Sequence, residues 1–166
     1  MRKLSIIIAL FVLSLGTYAT EVPDTKEDIK KISYTALRHF EADFKTAKDV
    51  SWRTNEQYVK ATFTTDGKKM AALYDLQGNF VGSIEYLSYD QLPVKARTEL
   101  EKKYTGYNFS SALKIVSRPT DTSDFNDVGT YWVDLTNEVK QLYISISPSS
   151  SVSLHKSVSI QATAKN

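Results

Sequence analysis

Apolar residues between positions 24 and 47 recur with the spacing of an α-helix. Lysine, arginine and glutamate occupy the remaining arc, so the segment is amphipathic. Asp24 and Glu27 have the spacing of a capping box, which is typical of a helix start. The pattern predicts a first helix here, whose apolar face is formed by Ile29, Ile32, Ala36, Leu37, Phe40, Phe44 and Ala47.

From position 49 onward the apolar period changes to two, which is typical of β-strands. Asp66-Gly67 separates two alternating runs, and this combination favours a hairpin. Gly78-Asn79 marks a second break before the next apolar stretch. The region predicts an antiparallel meander of three or four strands, whose inward positions are Val50, Trp52, Val59, Ala61, Phe63, Met70, Ala72 and Tyr74.

A second helix is predicted between positions 88 and 107. Asp90 can cap this helix, Pro93 suits its first turn and Gly106 suits the position just past its end. Its apolar positions follow those of the first helix at a constant offset of sixty residues. They are Ala96, Leu100 and Tyr104, which correspond to Ala36, Phe40 and Phe44.

The strand pattern of the second half repeats that of the first at a constant offset of seventy-two residues. The extra twelve residues fall in the loop at 118–129. The sequence therefore predicts two copies of a helix-plus-strands unit. The matching strand positions of the second copy are Tyr131, Val133, Leu135, Leu142, Ile144 and Ile146.

These elements predict an α+β fold of two tandem helix-plus-antiparallel-strands repeats, each of the αβ4 type. One unit alone buries too little apolar surface, so we expect one antiparallel sheet with both helices packed on one face. The expected boundaries are 1–19 for a cleaved signal peptide, 20–89 for the first repeat and 90–166 for the second, sharing one core with the first.

The N-terminus has the features of a secretory signal. Arg2 and Lys3 precede an apolar run from Leu4 to Leu15, and small residues follow around Ala19. The run is about twelve residues, whereas a membrane span needs roughly twenty. The chain has no cysteine to carry a lipid anchor. We therefore expect cleavage after Ala19 and a periplasmic protein without a stable membrane anchor.

The charge balance argues against nucleic acid as a partner. The chain has 21 basic and 19 acidic residues, and removal of the signal would take Arg2 and Lys3 with it. The remaining charge is near zero, which offers no basic surface for phosphates.

The residues that could support catalysis or metal binding form no recognisable pattern. His39 and His155 are far apart and no cysteine completes a zinc site. The acidic segment 121–127 could attract calcium, but a solvated loop explains it equally well. No serine lies in a G-x-S-x-G context, and no carboxylate pair is singled out. We therefore expect no enzyme activity, no cofactor and no metal.

One set of residues alternates opposite the apolar positions and is the candidate binding surface. Rigid aromatic rings among polar groups are typical of recognition surfaces. Cross-strand aromatic pairs could equally stabilise a half-exposed sheet. The two aromatics at 132 and 143 correspond to Lys60 and Ala71 in the first copy, so they are not part of the shared pattern. The set comprises Tyr58, Lys60, Thr62, Trp132, Asp134 and Tyr143.

The segment from Asp49 to Tyr107 is similar to the PepSY-like, β-lactamase-inhibitor-protein-like (BLIP-like) family of small secreted Bacteroidetes proteins. The similarity lies in the order of several short motifs. They are V-x-W at 50–52, Y-x-K-A-x-F at 58–63, the D-G turn, A-x-Y-D-x-x-G-N at 72–79 and L-P at 92–93. The resemblance implies a tandem helix-plus-four-strand fold with one open sheet face, and it supplies no catalytic residues.

The combined expectation is a non-catalytic periplasmic binding module whose open sheet face recognises a protein or peptide. Two alternatives stay open. The family resemblance suggests an inhibitor of a secreted hydrolase, either a protease or a β-lactamase-like enzyme. The aromatic set would also suit a small ligand or an envelope glycan.

Overall fold

The structure is a computed structural model that describes residues 32–118 and 127–160. The described residues form an α+β fold of two helices and eight strands. The helices are α1 (Tyr34–Asp43) and α2 (Val94–Lys103). The strands are β1 (Lys48–Thr54), β2 (Val59–Thr65), β3 (Lys68–Tyr74), β4 (Phe80–Leu87), β5 (Asn108–Val116), β6 (Tyr131–Thr136), β7 (Lys140–Ile146) and β8 (Val152–Ser159).

The eight strands belong to one sheet in the order in which they occur along the chain. Pairing is antiparallel from β1 to β4 and from β5 to β8. The predicted hairpin at Asp66-Gly67 is confirmed. Both residues have positive φ, at 49° and 74°, as a two-residue turn of the primed type requires.

The chain divides into two compact units. Unit 1 contains described residues 32–86, 115–118 and 127–128, and unit 2 contains 87–114 and 129–160. The order helix then four strands occurs twice, as α1 with β1–β4 and as α2 with β5–β8. The predicted equivalence of the two sets, residue by residue, stays a prediction, as do the expected boundaries of the repeats.

Helix α1 is shorter than its sequence pattern predicts. The expected capping pair Asp24 and Glu27 lies outside the described residues, as do the expected signal peptide and most of the acidic loop at 121–127. Within the described chain, Ser33 caps α1 by accepting a hydrogen bond from the Ala36 backbone N–H at 3.1 Å. The helix ends at Asp43, and Phe44 leaves helical geometry with φ −121°. The apolar spacing continues because the turn after the helix packs on the same core.

The start of α2 also differs from the prediction. Asp90 does not cap the helix but lies in a 3₁₀ turn, Tyr89–Gln91. The Gln91 side chain closes this turn by accepting from the Ser88 backbone N–H at 2.8 Å. Pro93 then occupies the N-cap position, where its missing N–H costs nothing, and the helix begins at Val94.

Aromatic rings from α1 and from the facing strands form the core of unit 1. The Phe40 ring lies 5.2 Å from the Trp52 ring and 5.0 Å from the Phe63 ring, both in edge-to-face geometry. Such pairs add to the apolar burial that holds a helix on a sheet. The predicted inward position of Trp52 is confirmed. The buried members of this core are Ile32, Ala36, Phe40, Phe44, Trp52, Val59, Ala61, Phe63, Ala72 and Tyr74.

A turn between β3 and β4 holds the start of α1 in place. The Asp75 carboxylate accepts hydrogen bonds from the Asn79 backbone N–H at 2.8 Å and from the Gln77 backbone N–H at 3.0 Å. Gly78 has φ +91°, and a Cβ there would lie 2.6 Å from the Ala36 nitrogen. The Nδ1 atom of His39 lies 3.0 Å from the Gly78 carbonyl oxygen. This close approach requires glycine and explains the D-x-x-G-N spacing.

Burial alone would raise the pKa of the Asp75 carboxyl. Its hydrogen bonds outweigh that effect, because they come from the Asn79 side chain and from the backbone of Gln77, Gly78 and Asn79, and the pKa is lowered. The turn is therefore most stable when Asp75 is ionised, and this contribution is lost as the pH falls through its folded-state pKa.

One ion pair joins the end of α1 to the chain after β5 within unit 1. Arg118 Nη1 lies 3.2 Å from Asp43 Oδ2, and the Asp43 side chain is 7% exposed. The Arg118 guanidinium also lies 4.6 Å from the centre of the Phe80 ring. A mostly buried carboxylate needs such a partner, because burying it alone would be costly.

Unit 2 has a separate core beneath α2. This core is aliphatic, in contrast to the phenylalanine-rich core of unit 1, and the helix contributes Ala96 and Leu100. Together with them, the buried members are Leu92, Ala112, Val133, Leu135, Leu142, Ile144, Ile146 and Val152. The strand residues in this set all project from the α2-facing side, so the opposite face of β5–β8 does not pack against α2.

We predict that Gly78→Ala lowers the free energy of unfolding by about 2–4 kcal/mol. About 1–2 kcal/mol comes from the positive φ and the rest from the collision with the start of α1. Gly67→Ala is the matched control, since Gly67 has φ +74° but nothing within 4 Å of its Cβ position. Urea unfolding of both variants measures the difference. Equal losses of stability in the two variants would show that the turn is not in tight contact with the start of α1.

We predict that Arg118→Ala lowers the free energy of unfolding by about 1–3 kcal/mol, because the substitution removes the ion pair between Arg118 and the Asp43 carboxylate. Arg38→Ala is the control, since its pair with Glu41 is more than 60% exposed on both sides and exposed pairs contribute about 0–1 kcal/mol. Urea unfolding checks both values. Indistinguishable effects of the two variants would contradict a structural role for Arg118.

Candidate functional site

Three of the six residues predicted for the binding surface meet on one face of unit 2. Asp134 on β6 pairs directly with Ser111 on β5 and with Tyr143 on β7. Trp132, two positions earlier on β6, pairs with Leu113 and projects from the same side. We call this side, opposite α2, the second face of unit 2. Its central residues are Ser111, Leu113, Trp132, Asp134, Gln141 and Tyr143.

The predicted grouping of these residues is confirmed, but the expectation that they form an open surface is wrong. Trp132 is 6% exposed, Tyr143 is 8% exposed and Asp134 is fully buried. Strand alternation identifies which residues share a face, but it contains no information on how far their neighbours shield them. Trp132 is two positions before Asp134 on β6 and Tyr143 is directly opposite on β7, so all three side chains project from the same side of the sheet.

The hydrogen bonds of the Asp134 carboxylate are incomplete. Its Oδ2 atom accepts a bond from Gln141 Nε2 at 2.6 Å. Its Oδ1 atom is buried and has no hydrogen-bond partner. The hydroxyl of Ser111, the cross-strand neighbour, is also buried without a partner. Native proteins hydrogen-bond most of their buried polar groups, so two adjacent exceptions mark this cluster as unusual.

The electrostatics of the cluster follow from its burial. Burial raises the pKa of the Asp134 carboxyl, and the hydrogen bond from Gln141 lowers it by less. Burial, with the nearby Asp134 charge, also raises the pKa of the Tyr143 hydroxyl. The folded protein therefore accommodates an ionised Asp134 less readily than water does.

The Trp132 ring makes one further contact across the sheet. It meets the His155 ring edge to face, with the ring centres 4.9 Å apart. His155 lies on β8 at a bulge and is exposed. This contact holds the tryptophan at the border between the buried cluster and solvent.

The three other residues of the predicted set belong to unit 1. Tyr58 precedes β2 and is half-buried, and its backbone N–H donates to Asn55 Oδ1 at 2.9 Å. Lys60 lies on β2, half-buried, and pairs with Arg53 and Leu73. Thr62, two positions on, is buried. Their role in binding stays a prediction.

A cleft in unit 2 was missed by the sequence analysis. It encloses about 280 Å³, and its lining comes from separate chain segments that fold together beside α2. The Tyr89 hydroxyl in its wall donates to Glu101 Oε1 at 3.1 Å. No sequence pattern groups these positions, although two tyrosines, Tyr104 and Tyr107, occur close together after α2. The lining residues are Tyr89, Leu100, Glu101, Tyr104, Tyr107, Asn108, Phe109 and Leu135.

Residues 32–118 and 127–160 contain no cluster of three or more His, Cys, Asp or Glu side chains suited to a metal ion. Neither described helix has the length and apolar character needed to cross a membrane.

Comparison with solved structures identifies proteins of the same fold. A BLIP-like protein from Bacteroides fragilis matches with a TM-score of 0.59 and 15% identity, over 81% of this chain and 91% of that chain. A DUF2874 family protein from Bacteroides uniformis matches with a TM-score of 0.59 and 17% identity, over 79% and 91%. A candidate periplasmic protein from Bacteroides eggerthii matches with a TM-score of 0.59 and 10% identity, over 78% and 89%.

No protein-family model and no curated protein matches the chain. The expected likeness to BLIP-like proteins is confirmed for the fold, whereas none of the three structures above is named PepSY-like. Identities this low establish a shared fold, and a fold by itself does not determine function. The function must therefore be argued from the cluster around Asp134.

We predict that Asp134→Asn raises the free energy of unfolding at pH 7 by about 1–2 kcal/mol, because the amide needs no ionisation in a buried site. Because the folded-state pKa of Asp134 is raised, the neutral carboxyl favours the folded protein. This contribution to stability is complete below the pKa of the unfolded state and is lost as the pH rises through the folded-state pKa. The difference in the free energy of unfolding between Asp134→Asn and wild type should therefore vanish near pH 4.

Urea unfolding of wild type and variant at both pH values measures this effect. Asp49→Asn is the control, since Asp49 is exposed and the chemical change is the same. A variant less stable than wild type at pH 7 would show that the carboxylate has its full set of partners.

Proposed function

We propose that the protein is a non-catalytic binding module of the periplasm that recognises a protein or peptide through the second face of unit 2. One observation carries this proposal. A fully buried carboxylate with an unpartnered oxygen shares the sheet face opposite α2 with two aromatic side chains, Trp132 and Tyr143. Tyr58 and Lys60 are proposed as additional contact residues on unit 1.

The composition of the cluster suits recognition better than catalysis. Tryptophan and tyrosine are enriched among the residues that dominate binding energy, because they bury a large area at a small entropy cost. The described partner of Asp134 is Gln141, whose amide does not titrate and cannot act as a base or nucleophile. Functional sites typically retain residues that lower the stability of the folded protein, as a buried carboxylate such as Asp134 does.

The periplasmic location rests on two further arguments. The N-terminal sequence has the basic, apolar and small-residue segments of a cleaved signal. One structure of the same fold is a candidate periplasmic protein. We also propose that the two units are tandem copies packed with both helices on the same face of the sheet, since the order of their elements is identical.

Two alternatives have specific support. The BLIP-like fold favours an inhibitor of a secreted hydrolase, either a protease or a β-lactamase-like enzyme. Such a protein would reduce hydrolase activity in proportion to the amount added. The tyrosine-lined cleft favours a small-ligand or glycan-binding protein. A ligand of that kind would raise the thermal midpoint of the protein and would be insensitive to changes at Trp132.

We predict that Trp132→Phe reduces capture of the partner from a periplasmic extract about tenfold, because the indole is a large part of the proposed contact area. Trp52→Phe is the matched control. Trp52 is 7% exposed, against 6% for Trp132, but it lies beneath α1 on the helix-covered side. The two variants therefore make the same chemical change at similar burial, one on a helix-covered side of unit 1 and the other on the second face of unit 2.

Capture is measured with immobilised wild type and both variants, after circular dichroism has shown equal folded fractions. The expected result is loss of the same bands with Trp132→Phe and their retention with Trp52→Phe. Equal retention by both variants, or equal loss in both, would reject the second face of unit 2 as the binding surface.

A further inference from the structure

Two buried oxygen atoms without a hydrogen-bond partner belong to neighbouring residues on the second face of unit 2. Asp134 Oδ1 and Ser111 Oγ are both buried and unpartnered. Their residues are direct partners in the β5–β6 ladder, so both side chains project from the same point of the sheet. Directly opposite residues have Cβ atoms about 5 Å apart. A single donor group with two N–H bonds could therefore reach both oxygens.

The described chain supplies no cation for this carboxylate. Lys156 on β8 pairs with Tyr143, the other cross-strand neighbour of Asp134, yet it is exposed and forms no ion pair with Asp134. His155 contacts the Trp132 ring instead. A buried carboxylate without a cationic partner is costly, so a donor from outside would bind with a strong preference for positive charge.

The shape of the site distinguishes among possible donors. Two neighbouring oxygens are too few for calcium or magnesium, which take six or more oxygen ligands. A lysine ammonium is a compact point charge that is strongly hydrated. An arginine guanidinium is planar, presents two parallel N–H bonds to paired acceptors and stacks on aromatic rings. The side chains of Trp132 and Tyr143 project from the same side of the sheet as the carboxylate, and their rings suit such stacking.

We propose that the second face of unit 2 receives an arginine side chain of the partner, whose guanidinium donates hydrogen bonds to Asp134 Oδ1 and Ser111 Oγ. This inference rests on the proposed function and names the chemistry of the group that is recognised. Entry requires the rings of Trp132 and Tyr143 to turn outward. Trp132 and Tyr143 are 6% and 8% exposed, and the Trp132 ring contacts the ring of the exposed His155.

The test uses fluorescent seven-residue peptide pools that are randomised except for a fixed central residue. The central residue is arginine, lysine, citrulline or norleucine. Citrulline keeps the shape of arginine but removes its charge. Fluorescence anisotropy gives apparent affinities for wild type, Asp134→Asn, Ser111→Ala and the control Asp49→Asn. For wild type, the arginine pool should bind at least tenfold more tightly than the citrulline pool, with the lysine pool between them.

Asp134→Asn should abolish the preference for arginine over citrulline, and Ser111→Ala should reduce it several-fold, while Asp49→Asn leaves it unchanged. Because Asp134→Asn is expected to be at least as stable as wild type, unfolding would not explain its loss of preference. A preference that survives Asp134→Asn would overturn the assignment of the arginine site.

The outcomes separate this inference from the proposed function. Peptide binding that shows no preference for arginine, but is weakened by Trp132→Phe, overturns the arginine site and supports the binding face. Failure of every pool to bind overturns both proposals. Binding that depends on arginine and on Asp134 supports both.

Discussion

The fold depends on burying one side of each four-stranded layer under a helix of ten residues. Helices this short are marginal on their own in water, so packing against the sheet must hold them. In unit 1 the rings of Phe40 and Phe44 anchor the helix, and the turn at Gly78 presses against its first residues. The position of the helix and the geometry of that turn therefore depend on each other.

The second face of unit 2 differs from the helix-covered sides because it buries polar groups. The buried core residues of the α2-facing side are all apolar, whereas this side places a carboxylate, a hydroxyl and two aromatic rings together. An apolar residue in place of Asp134 would cost less to bury than a carboxylate with an unpartnered oxygen. The cluster is thus a local departure from the most stable arrangement, and local departures of this kind are found where a protein binds or reacts. This contrast between the two faces is the main physical basis for the proposed function.

Sequence patterns predicted the elements well where the period was regular. The strand period of two placed Trp52 and Phe63 in the core and put Trp132, Asp134 and Tyr143 together on the other side. The patterns failed at the helix ends. Phe44 and Ala47 kept the apolar spacing after α1 had ended, because a turn can pack on the same core as the helix before it. Local rules for caps also mistook Asp90 for the start of α2, since they do not see the 3₁₀ turn that precedes it.

The sequence by itself determined the α+β class, the hairpin at Asp66-Gly67 and which residues share a strand face, because these follow from short-range periodicity and turn chemistry. Only the tertiary structure decided that Asp134 is fully buried, that its Oδ1 atom lacks a donor and that Ser111 lies beside it. The tyrosine-lined cleft also arises only when distant segments come together. Burial and hydrogen-bond satisfaction depend on neighbours that are remote along the chain, and no local pattern encodes them.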